Sequence, residues 1–84
     1  MKPNKILHNE ILKVVDNQIR AGNPPETKQT YDRLIKMGYS AIDAKKYIGQ
    51  CIVIEMFDIM KHNQPFDEKR YVKNLLNLPK EPFE

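Results

Sequence analysis

The stretch Cys51-Ile52-Val53-Ile54-Glu55-Met56-Phe57-Asp58-Ile59-Met60 decides how this chain is read. Eight of these ten residues are apolar, and they do not alternate with polar ones as a half-buried strand would. Placed at 100° per residue, they point to every side of a helix. Upstream, Ser40 and Asp43 stand at the spacing of a capping box, with Asp in place of the usual Glu. Ala41, Ala44, Tyr47 and Ile48 then form an amphipathic first half. The pattern predicts one helix from the Ser40 cap to about His62, more than five turns long. A helix that is apolar all round lies at the centre of its fold or is covered by another chain. A short buried strand over residues 51–54 is the alternative, and the helical context on both sides argues against it.

Working outward, three shorter helices flank this one. Gly38 stops a helix over residues 25–37 whose stripe is Tyr31, Leu34, Ile35 and Met37. Pro25 can open that helix and Glu26 suits its positive end. Before the loop Gly22-Asn23-Pro24-Pro25 lies a helix over residues 5–21, with Asn4 as its expected N-cap and Gly22 as its stop. Leu7, Ile11, Leu12, Val14, Val15 and Ile19 share one face of it. His8 and Gln18 project into that apolar arc, and Gln18 is expected to be a buried hydrogen-bonding residue or a polar group at a helix contact. After the connector Asn63-Gln64-Pro65-Phe66, Asp67 caps a helix reaching Leu76 or Asn77, with Tyr71, Val72, Leu75 and Leu76 as its stripe. Pro79 and Pro82 stop regular structure, so residues 79–84 are expected to be a loosely held tail. The fold expected is all-α: a single domain, residues 1–84, forming a compact four-helix bundle with a long central third helix.

With 84 residues the core is modest, about 60–65% of the surface exposed by the unfolded chain. One cysteine excludes an internal disulfide and suits a reducing, cytoplasmic compartment. No secretory pattern is evident, and the longest apolar run is far too short to cross a bilayer. The net charge of +3 neither requires nor excludes a nucleic-acid partner.

Cys51, Glu55, Asp58 and His62 are spaced four, three and four apart, which puts them on one helical stripe. Carboxylate and imidazole are metal ligands, so His8, Glu55, Asp58 and His62 form the candidate site for a divalent metal, or for metal-dependent hydrolysis. The simpler expectation for these residues is polar groups at a groove edge, because buried carboxylates need partners with or without a metal. No His-Glu-x-x-His motif and no Cys-x-x-Cys pair is present. No catalytic residue is assigned: Cys51 has no activating motif, Ser40 is a cap, and no glycine-rich phosphate loop exists. Gly49 lies inside the third helix, where a close approach by another helix, or a kink, accounts for it. Lys45 and Lys46 lie on the polar side of that helix. A helix-turn-helix would use the second and third helices, but the third is too apolar beyond Gly49 and lacks base-reading residues at its start.

Met37-Gly38-Tyr39-Ser40, followed by Ala44, resembles the loop between the first two helices of ubiquitin-associated domains. The likeness covers under a quarter of the chain, and the long third helix departs from that fold, so ubiquitin binding is not carried over. More broadly, Asp16-Asn17-Gln18-Ile19, Pro24-Pro25-Glu26, Arg33-Leu34, Gly38-Tyr39-Ser40 and Tyr71-Val72 with Leu78-Pro79 resemble a family of small uncharacterised prokaryotic helical proteins. That resemblance implies paired histidines on the first helix and near the start of the third. Here His8 alone matches, and Leu12, Ile42 and Lys46 take the other places.

The leading functional expectation is a non-enzymatic protein-interaction module, binding a protein partner or a second copy as a homodimer. Its interface is expected at Ile52, Val53, Met56, Phe57 and Met60. A monomer whose bundle covers these residues is the structural rival. No cofactor is expected under this reading, and a divalent metal is the alternative. Nucleic-acid binding through Lys45 and Lys46 is the weaker second alternative.

Overall fold

The computed structural model describes residues 3–82, with side chains from residue 9 onward. Four helices follow one another: α1 (Pro3–Ala21), α2 (Pro25–Lys36), α3 (Ala41–His62) and α4 (Glu68–Asn77). No strand occurs among the described residues. The molecule measures 35 × 33 × 28 Å. It is an all-α four-helix bundle with α3 the longest element.

The helix boundaries follow from local chemistry. Ser40 Oγ accepts the amide of Asp43 at 3.1 Å, and Asp67 Oδ1 accepts the amide of Arg70 at 3.1 Å. These bonds satisfy amides that the first turn cannot pair internally. Pro25 opens α2, where its missing N–H costs nothing. Gly38 takes φ +104 after α2, and the amides of Gly38 and Tyr39 return to the carbonyls of Ile35 and Leu34. That pair of bonds is the Schellman arrangement, which needs a left-handed residue at this place. Asn63 plays the corresponding part after α3 at φ 54. One expected cap differs: α1 begins at Pro3, so Asn4 stands inside its first turn and does not cap it. Proline's preset φ suits that opening position.

The core consists of Ile11 and Val15 from α1, Leu34 from α2, Ala44, Ile48, Cys51 and Ile52 from α3, and Tyr71, Leu75 and Leu78 at α4. α3 packs on all three other helices, as its apolar circumference demands, and α2 does so as well. A Cβ at Gly49 would stand 2.9 Å from Ile11 Cγ2, so α1 and α3 close on each other where the glycine leaves room. Two groups of polar bonds tie the ends together. Tyr71 hydroxyl and Thr27 Oγ1 each donate to Gln18 Oε1 at 2.7 Å, linking α1, α2 and α4 inside the bundle. Arg33 of α2 donates to the carbonyls of Leu75 and Leu78 at 2.9 and 2.7 Å, closing the C-terminal end of α4. Of the expected tail, residues 79–82 are described, and residues 83–84 lie outside the described residues. Pro79, Glu81 and Pro82 are half-buried, and Gln50 Nε2 donates to Glu81 Oε2 at 2.6 Å.

The apolar run on α3 is covered unevenly. Cys51 and Ile52 are buried, and Val53, Ile54 and Met56 are half-buried. Beyond them Phe57 is 56% exposed and Met60 79% exposed. The three shorter helices therefore cover the middle of α3 and leave its last two turns partly bare.

Candidate functional site: a polar relay between the third and fourth helices

Glu55 sits in the middle of the apolar run and its side chain is completely buried. A carboxylate taken out of water needs opposite charge and hydrogen bonds. Both come from the start of α4. Arg70 Nε donates to Glu55 Oε2 at 2.6 Å, and a terminal guanidinium nitrogen donates to Oε1 at 2.9 Å. The amide of Asp67 donates to Oε1 at 2.9 Å. The carboxylate thus meets a bidentate guanidinium and the positive end of a helix together.

The relay continues outward along α3. The guanidinium nitrogen that binds Glu55 Oε1 also donates to Asp58 Oδ2 at 3.0 Å. Asp58 Oδ1 lies 2.9 Å from His62 Nδ1. Exposure rises stepwise, from buried Glu55 through half-buried Asp58 and Arg70 to exposed His62. The hydrogen bonds from His62 and then Arg70 hold the Asp58 carboxyl below the usual carboxylate range. Glu55 and Asp58 in turn raise Arg70 above the ordinary arginine value.

Of the residues predicted for a metal, Glu55, Asp58 and His62 are therefore brought into one chain of contacts. Its hub is a guanidinium, and three of the four carboxylate oxygens are taken by Arg70 while the fourth faces His62. Among the described residues no group of three or more His, Cys, Asp or Glu is arranged to hold a metal ion. His8 lies in α1, outside the residues whose side chains are described. Sequence reasoning missed Arg70 as the partner, although the demand of a buried carboxylate for a cation was the available signal. Cys51 lies on the same stripe but is not engaged. Its thiol donates to the carbonyl of Tyr47 at 3.9 Å, and burial pushes it up to about 12. A thiol so placed is not a nucleophile at neutral pH.

Of the residues predicted for an interface, Ile52 belongs to the core at 2% exposure and turns away from any partner. Its neighbour on the next turn, Glu55, faces inward too. Val53 and Met56 lie half-buried against the core, and Phe57 and Met60 stand outside it. Ile59 is also partly exposed, and Lys61 Nζ lies 5.0 Å from the Phe57 ring centre. Lys45 is occupied: it pairs with Asp16 at 2.8 Å, and that bond raises its pKa.

The fold and the relay together define an all-α bundle in which the buried carboxylate of Glu55 is neutralised from within. No protein-family model, curated protein or solved structure matches the chain. No helix of the described residues is long and apolar enough to cross a membrane.

Proposed function

We propose that this chain is a small non-enzymatic protein-interaction module of the cytoplasm that self-associates through the last turns of α3. The observation that carries the reading is the exposure of Phe57 and Met60, four-fifths for the latter, at the end of a helix whose middle is core. Apolar side chains of this size grouped on one surface mark association sites. The groups best suited to chemistry support the same reading. Glu55, Asp58 and Arg70 are engaged with one another, so the relay fastens α4 to α3 and each oxygen of its two carboxylates already has a partner. Sedimentation velocity tests the proposal. The wild-type chain is expected to shift from monomer to dimer between about 10 µM and about 1 mM. Phe57→Ser and Met60→Ser are expected to stay monomeric while keeping the helical circular dichroism. A wild-type chain that remains monomeric across this range sinks the reading.

A further inference from the structure

Apart from the relay, a cleft of about 300 Å³ is lined by Tyr39, Asp43, Lys46, Tyr47, Gln50 and Glu81. Three pieces of chain build it: the connection between α2 and α3, the first turns of α3, and the segment after α4. The volume lies at the small end of the range for small-molecule sites, about 300–1,000 Å³. Tyr39 and Tyr47 meet edge to face with ring centres 5.3 Å apart. Gln50 gives its Nε2 to Glu81, while its Oε1 is buried with no hydrogen-bond partner.

The charges on the cleft are the informative feature. Asp43 and Lys46 lie three residues apart on α3 and are neighbours on its surface. None of the ion pairs among the described residues uses either of them. Asp43 and Lys46 line the cleft without pairing with each other, while the second acid, Glu81, is engaged by Gln50, so the first two offer opposite charges to one molecule. We propose that this cleft binds a small zwitterion of the amino-acid class, its ammonium on Asp43, its carboxylate on Lys46 and its body against Tyr39 and Tyr47. Tyr47 serves as a hydroxyl donor there, because the neighbouring Tyr39 and partial burial hold its proton on above the ordinary tyrosine value. The volume is enough for one amino acid.

The test is a two-dimensional amide NMR titration of the whole chain with pools of the common L-amino acids, each to about 10 mM. Saturable shifts are expected at Tyr39, Asp43, Tyr47 and Gln50 for at least one pool. The amine lacking the carboxylate and the acid lacking the ammonium, made from the amino acid that binds, are expected to bind about tenfold more weakly or worse. Asp43→Asn and Lys46→Gln are each expected to weaken binding about tenfold; Lys46→Gln is expected to leave thermal melting unaltered, and Asp43→Asn to lower it slightly because Asp43 lies in the first turn of α3. The proposal is overturned if no pool shifts these amides, if the amine alone binds as well as the amino acid, or if both variants bind like the wild type.

Discussion

The buried carboxylate of Glu55 receives two guanidinium nitrogens of Arg70, at 2.6 and 2.9 Å, across fifteen residues of chain. This bond fixes the angle at which α4 leaves α3, because the amide of Asp67 shares the same carboxylate. Removing one partner of such a pair strands the other, whereas replacing both by apolar groups does not. Glu55→Ala is expected to lower the unfolding free energy by about 2–3 kcal/mol, below the full range for a buried pair because Arg70 rehydrates. Glu55→Leu combined with Arg70→Leu is expected to recover most of that loss. Urea unfolding followed by circular dichroism measures both. Equal losses for the single and double variants would contradict the assigned role.

The approach of α1 to α3 makes a sharper prediction. Gly49→Ala gains about 1 kcal/mol of helix propensity but drives a methyl group against Ile11 Cγ2. That carbon belongs to a β-branched side chain with little freedom to move. Overpacking of this kind costs about 1–3 kcal/mol, so the net effect is destabilising. In an Ile11→Ala background the clash is gone and the same substitution is expected to stabilise. Thermal melts of the four variants check the change of sign.

Much of the architecture was legible because its punctuation is local. Ser40 and Asp67 cap α3 and α4 as expected, and Gly22, Gly38 and Pro25 bound α1 and α2 where their backbone chemistry requires. Gln18 proved to be the internal hydrogen-bonding residue its place in an apolar arc implies. The relay was half legible. The four-three-four spacing put Glu55, Asp58 and His62 on one stripe, but the direction in which the 63–67 connector returns decides that Arg70 meets them. No local pattern carries that information. For the same reason the turning of Ile52 into the core and the docking of Glu81 on Gln50 could not be read from spacing.

Two buried acids set the alkaline limit. Burial raises the Cys51 thiol to about 12, and it also raises the Tyr71 hydroxyl. In the unfolded chain the thiol ionises near about 8.5 and the phenol near about 10. Above these values the unfolded state holds fewer protons than the folded one, so stability falls as pH rises. The slope is at most about 1.4 kcal/mol per pH unit for each group. Cys51→Ala is expected to flatten the curve between about pH 8.5 and about pH 10. Asp58 acts at the other end: its lowered pKa contributes stability above about 3.9 that is lost as pH falls through its folded value. Chemical denaturation across pH reads both arms.

The hydrogen-bonded group of Gln18, Thr27 and Tyr71 should matter modestly. Thr27 Oγ1 and the Tyr71 hydroxyl also lie 3.0 Å apart, so three contacts are served by two hydroxyl protons. Tyr71→Phe leaves Gln18 bonded to Thr27 and is expected to cost about 1 kcal/mol. Gln18→Leu leaves the two hydroxyls only each other, with one proton lacking an acceptor inside the bundle, and is expected to cost about 2 kcal/mol. Equilibrium unfolding of the two variants gives the order.

The most direct test of the account is native mass spectrometry of the untagged chain after exposure to zinc and removal of the excess. The account predicts, at about 1 mM chain, a dimer free of metal, since Arg70 and His62 occupy the carboxylate oxygens of Glu55 and Asp58 and Phe57 and Met60 supply the contact. A monomer carrying one divalent metal, lost on Glu55→Ala, would contradict it.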